Sequence, residues 1–245
     1  MTPISRILRA SEWKYAFGEV LLLVVGISIA LAIDEWRGNI ENIRTEREYI
    51  DQLVDDLRLT EERMASVIEI NASAESANSR LLTVFENGEN IEPDTLRQLI
   101  GESWVYDNPV PVFATTDALV TTGDLRLIRD STVRSRIARY LSNTRDYWLV
   151  PLYSIETEHR AQYARVAKLA AANGVLPTRP SVVGQKHHAP NVGAFLADAD
   201  AYAEIQLLLR NKETFRRYRV DMADEAATLR QLIEEYVHSE WLLKN

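Results

Sequence analysis

Two Glu-x-x-His pairs, Glu156 with His159 and Glu235 with His238, carry the residue types of a carboxylate-bridged metal site. Helical bundles of that kind contribute the motif from facing helices together with further glutamates. At helical spacing His159 falls in line with Ile155 and Tyr163 and can turn inward. His238 falls away from the stripe of Leu229, Ile233 and Tyr236, so no shared metal site is expected. His187 and His188 are adjacent in a proline-bearing stretch and cannot close a coordination sphere alone. The chain has no cysteine, which removes disulfides, Cys-ligated zinc, Fe–S clusters and thiol nucleophiles. No Gly-x-Ser-x-Gly, lysine-bearing glycine loop or His-Glu-x-x-His is present. The expectation is therefore no catalytic residue, no cofactor and no metal, and a protein that is not an enzyme.

One ionisable residue stands in an unusual place. Val20 to Ile33 reads VLLLVVGISIALAI without a charge, and extension back to Tyr15 adds only Glu19. At 1.5 Å per residue the stretch from Tyr15 covers roughly 28 Å, close to the hydrocarbon thickness of a bilayer. Trp13 and Tyr15 border one end and Trp36 the other, where amphipathic rings favour the headgroup level. A membrane carboxylate is by default a functional candidate. Glu19, however, lies only about 6 Å inside the Tyr15 boundary, within reach of the interface or of Lys14 or Arg9. A cleaved signal peptide is the rival reading, given the basic start and Ala30-Leu31-Ala32. The helical pattern that continues directly from Asp34 opposes it. Gly26 and Ala30 form a small-xxx-small pair that lets two helix backbones approach.

The segment Gly18-Glu19-Val20-x-Leu22-x-Val24-Val25-Gly26-Ile27-x-Ile29-Ala30-Leu31, followed by Trp36, resembles the opening of a bacterial family of uncharacterised (domain of unknown function) single-span membrane proteins. Leu119-Val120-x-x-Gly123-x-Leu125-x-Leu127-Ile128, leading into a helix at Arg134 to Tyr140, is similar to that family's mid-chain motif. The resemblance covers residues 13–60 and 113–145. It implies a retained anchor and no particular activity.

The elements around these residues read as all-α. Residues 1–14 form a short basic tail, 15–36 the transmembrane anchor and 37–245 a helical ectodomain. Long helices are expected over about 37–86, 131–173 and 198–242, short ones over about 93–104 and 115–122, and a flexible loop over 175–193. Within them, an interruption is expected near Asn71 to Asn78, caps at Thr115 or Thr116 and at Asp130 or Ser131, and a kink at Pro151. Trp104 to Tyr106 beside Val110 to Phe113 is expected to close the bundle core. A heptad register runs through Ile40, Ile43, Arg47, Ile50, Val54, Leu57, Glu61, Met64 and Ile68. Run backwards it reaches Trp36, Ile33, Ile29, Gly26, Leu22 and Glu19, a stripe suited to parallel self-association. Tyr49, Leu53, Val67 and Ile70 widen the apolar face and favour packing within the chain instead.

Charge completes the reading. Residues 1–33 carry a net +1, so a total of −8 leaves −9 for the rest, a poor surface for phosphate backbones. The expected partners are therefore the lipid bilayer, a second copy of the chain and an unknown protein, with no nucleic acid. The basic residues Arg6, Arg9 and Lys14 before the span balance Arg37, Arg44 and Arg47 after it. A net-basic head still favours a cytoplasmic N-terminus, with the acidic domain in the periplasm. The expected role is a membrane-anchored structural or interaction protein. A ligand-sensing periplasmic domain acting through a partner comes second, and a metal-dependent enzyme third.

Overall fold

The structure, a computed structural model, describes residues 10–177 and 189–242. Arg6, Arg9, Pro180, His187 and His188 lie outside the described residues, as do the side chains of Trp13, Lys14 and Tyr15. Every regular element described is helical. Helix α1 spans Ala10–Asn87, α2 Pro93–Ser103, α3 Ala114–Thr121, α4 Ser131–Ser142, α5 Val150–Ala172, α6 Val192–Leu196 and α7 Ala199–Leu242. A 3₁₀ turn, Asp124–Leu127, precedes α4, and a π-helical segment, Asn143–Leu149, joins α4 to α5. The chain divides into two compact units, Met1–Tyr49 and Ile50–Asn245.

In the first unit, α1 carries the apolar run. Its most apolar 18-residue window has a mean hydropathy of 2.2, and none of it is buried within the protein. Leu22, Leu23, Ile27 and Leu31 all point into open space. A helix that is apolar all round and uncovered by its own chain is consistent with a single-pass membrane anchor.

In the second unit, α1 and α7 pack antiparallel. Arg58 reaches Glu234 at 3.0 Å, Arg230 reaches Glu61 at 2.7 Å, and Arg216 reaches Glu75 at 3.0 Å. The Tyr202 hydroxyl donates to Glu86 at 2.9 Å. Each helix buries a heptad stripe, through Ile50, Leu53, Leu57, Thr60, Met64, Val67, Asn71, Ala74, Asn78 and Leu81 on α1. On α7 the stripe runs through Ala201, Ile205, Leu208, Lys212, Phe215, Arg219, Met222, Ala226, Leu229 and Ile233. The α1 register differs from the one expected. Leu53, Thr60 and Val67 are buried where Val54, Glu61 and Ile68 were expected, and Glu61 lies at the edge, held by Arg230. Of the residues that widened the face, Leu53 and Val67 pack, whereas Ile70 is 42% exposed.

Other boundaries follow local chemistry. The side chain of Asp130 accepts from the Val133 N–H at 2.8 Å and caps α4 as expected. No threonine caps α3. Its first turn is served by Asp56 of α1, whose carboxylate accepts from the Thr115 N–H at 3.0 Å. Helix α1 runs through Asn71 and Asn78 without a break, because both amides turn inward. Asp198 accepts from the Asp200 and Ala201 N–H groups and starts α7, while α6 occupies the end of the stretch expected as loop. Pro151 does not break the helix. It lacks an N–H and would clash with the carbonyl four residues back, and the wider π turn immediately before it takes up that misfit.

Candidate functional site

The four anchor residues singled out by sequence all lie on α1 in the first unit. Glu19, Gly26, Ala30 and Trp36 are exposed, Trp36 at 64%. A Cβ added at Gly26 would meet nothing within 4 Å. Gly26 and Ala30, four residues apart on one helix, share a face. Within the chain this face is unoccupied and apolar.

The second candidate is a polar layer inside the helical domain, built around residues that sequence reasoning passed over. The segment between α2 and α3, residues 104–113, crosses the bundle as an irregular strap. A strap without secondary structure must find partners for its backbone groups. Four core side chains supply them. The Lys212 Nζ donates to the Val105 carbonyl at 2.8 Å, and an Arg219 guanidinium nitrogen to the Asp107 carbonyl at 2.6 Å. The Asn71 amide donates to the Asp107 carbonyl at 3.2 Å and accepts from the Asp107 N–H at 3.3 Å. The Thr60 hydroxyl accepts from the Val112 N–H at 2.9 Å. Polar residues thus interrupt both heptad stripes where the strap lies.

Around the strap sits an aromatic cluster. The His159 ring lies 4.9 Å from Tyr106, 4.4 Å from Tyr163 and 5.5 Å from Phe215, centroid to centroid. The Arg219 guanidinium stands over Tyr106 and Phe215 at 5.7 and 5.2 Å, and Lys212 over Tyr163 at 5.8 Å. Cations held against ring faces recover part of the hydration they lose. His159 is fully buried, and both ring nitrogens lack a hydrogen-bond partner. Burial, then Lys212 and Arg219, push its pKa down to about 3, which keeps the ring neutral. Burial lowers Lys212 to about 8 against the opposing pull of Glu75, and raises the Tyr106 and Tyr163 phenols well above their ordinary range. His159 and the two phenols therefore hold their protonation states across the neutral range, while Lys212 is brought toward it.

His159 turns inward as its spacing indicates, whereas His238 is exposed, so the two Glu-x-x-His pairs do not converge. Glu156 is engaged by Asn108 at 3.0 Å and by Arg160 at 2.5 Å. Among the described residues no group of three histidine, aspartate or glutamate side chains is placed to hold a metal ion. Trp104 and Tyr106 pack into the layer as expected of the aromatic segment, Trp104 against Tyr163 at 6.3 Å. Lys212 and Arg219 were missed, though a signal existed. A heptad run along α7 through Leu208, Phe215 and Met222 places both on the core stripe.

No protein-family model, no curated protein and no solved structure matches the chain.

Proposed function

We propose that the chain is a membrane-anchored structural or interaction protein, held by one N-terminal span and displaying its helical domain to a partner or to a second copy. The observation that carries this reading is the α1 window of mean hydropathy 2.2 with no part buried. Left in water, so much continuous apolar surface would aggregate, and lipid removes that cost. The cytoplasmic N-terminus, the periplasmic domain and membership in the single-span family of unknown function belong to the same reading, supported by the net-basic head and the quoted motifs. A ligand-sensing role through a partner is the second reading, favoured by the buried polar layer at Lys212 and Arg219.

The absence of cysteine makes the test direct. Ser5→Cys and Ser66→Cys variants, expressed in a Gram-negative cell, are treated with a membrane-impermeant maleimide after permeabilising the outer membrane. We expect Ser66→Cys to label and Ser5→Cys to stay protected, with both proteins resisting alkaline carbonate extraction. Release by carbonate would overturn the anchor, and the reverse labelling pattern would overturn the orientation.

A further inference from the structure

The polar layer holds more positive charge and more free donors than the strap uses. Lys212 and Arg219 lie one heptad apart on α7, each 2% exposed. Among the described residues neither enters an ion pair. Of the carboxylates that act on them or on their ring neighbours, Glu75 is paired with Arg216 at 3.0 Å and Glu156 with Arg160 at 2.5 Å, and Asp107 acts on Arg219 only from an exposed position on the strap. Removing two cations from water without a contact ion pair is costly even when carbonyls, ring faces and distant carboxylates compensate in part.

The free polar atoms lie along the heptad that separates these two cations. Arg219 uses one terminal nitrogen on Asp107 and Asn108, while its buried Nε has no partner. Neither nitrogen of His159, whose ring lies against that of Tyr106, has a partner. The Trp104 Nε1, on the ring that meets Tyr163, is also unpartnered. Asn78 is 0% exposed, and both its amide atoms lack partners. The antiparallel register set by the Glu61–Arg230 and Glu75–Arg216 pairs puts Asn78 at the level of Lys212. Arg219 Nε, Trp104 Nε1 and Asn78 Nδ2 can only donate. Buried donors in native proteins nearly always have an acceptor, and this set sits in a positive field. Water would serve the donors but leave both cations without a contact counter-charge.

We propose that this layer, between α1, α5, α7 and the strap, binds a small monovalent anion such as chloride or a short carboxylate, with Arg219, Lys212 and Asn78 as its principal ligating groups. The site is independent of the anchor, so its failure would leave the membrane reading standing.

The test uses the full chain in detergent. Thermal melting is followed as chloride or formate replaces gluconate at constant ionic strength, gluconate being too bulky for a packed layer. We expect a saturable rise of a few degrees with the small anions, half-complete in the millimolar range, as for any ligand that binds only the folded state. The rise should vanish in Arg219→Met and Asn78→Leu and persist in Arg210→Met, which alters an exposed position on the same helix. A melting temperature indifferent to the anion, or an increment unchanged in the two core variants, would overturn the proposal. Where a core variant fails to fold, bromide-soaked crystals of the unaltered protein decide. An anomalous peak beside Arg219 and Asn78 supports the site, and the lack of a peak there rejects it.

Discussion

His159 shows what one side chain can report about the interior. Its pKa of about 3, against an ordinary 6.5, means that the unfolded chain binds a proton over a range where the folded chain does not. Stability from this group is therefore complete above pH 6.5 and is lost as the pH falls toward 3. Each unit of that interval corresponds to about 1.4 kcal/mol, so roughly 2 kcal/mol should be gone by pH 5. We expect urea midpoints to fall between pH 7 and pH 5, and the fall to flatten in His159→Leu. An equal acid sensitivity in the variant would show that other groups carry it. Lys212 acts in the same sense at the alkaline end. Its folded pKa of about 8 lies below its ordinary 10.5, so its contribution to stability rises with pH between those values. At this scale sequence was partly informative. The spacing to Ile155 and Tyr163 gives the direction of His159, and the heptad run through Leu208, Phe215 and Met222 puts Lys212 and Arg219 on the core stripe, but their residue types alone argue for solvation. Their burial is decided by the strap, a partner more than a hundred positions earlier in the chain.

The strap is also where the elements are tied together, and Asn71 is the tie most open to test. Its amide both donates to and accepts from the backbone of Asp107. Replacement by alanine would leave that part-buried N–H without its partner and weaken the bonding of the carbonyl. Leaving such a polar group unsatisfied costs about 1–3 kcal/mol when it is buried, and the part-buried strap falls toward the lower end. Asn71→Ala should therefore lower the unfolding free energy by about that much, and amide exchange at Asp107 should quicken more than exchange in the α7 core. Uniform quickening across the domain would mean that Asn71 serves general packing instead. The helices themselves were legible in the sequence, since period, caps and glycine stops are local. Gly174, at a φ of 68°, ends α5 with the Val175 N–H returning to the Ala170 carbonyl at 2.9 Å, as a glycine after an apolar helix suggests. The heptad phase was not legible, because Val54 and Leu53 are equally apolar and only the position of α7 selects between them. The π turn ahead of Pro151 was likewise hidden, since a proline signals misfit without saying how the helix absorbs it.

For the whole molecule, the altered heptad phase changes where self-association can occur. From Ile50 onward the stripe shared with the anchor is divided, with Ile50, Leu57 and Met64 committed to the bundle and Glu61 held by Arg230. A parallel contact between two copies is thereby confined to α1 before that point, where Leu22, Ile29, Ile33, Trp36 and Ile40 are all exposed. Gly26 lies on this face with open space around it. Gly26→Ile therefore imposes no clash within one chain, and any effect must come through a neighbour. Close approach of two backbones in lipid depends on small residues, and a β-branched side chain there separates them. We expect Ile33→Cys, on the Gly26 face, to form disulfide-linked dimers in membranes under mild oxidation. Val24→Cys, on the opposite face, should form few. Adding Gly26→Ile should reduce the Ile33→Cys dimer several-fold while leaving the melting of the helical domain unchanged. Equal cross-linking from both faces, or an Ile33→Cys dimer indifferent to Gly26→Ile, would mean that the anchor holds single copies and that the partner of this protein is a different chain.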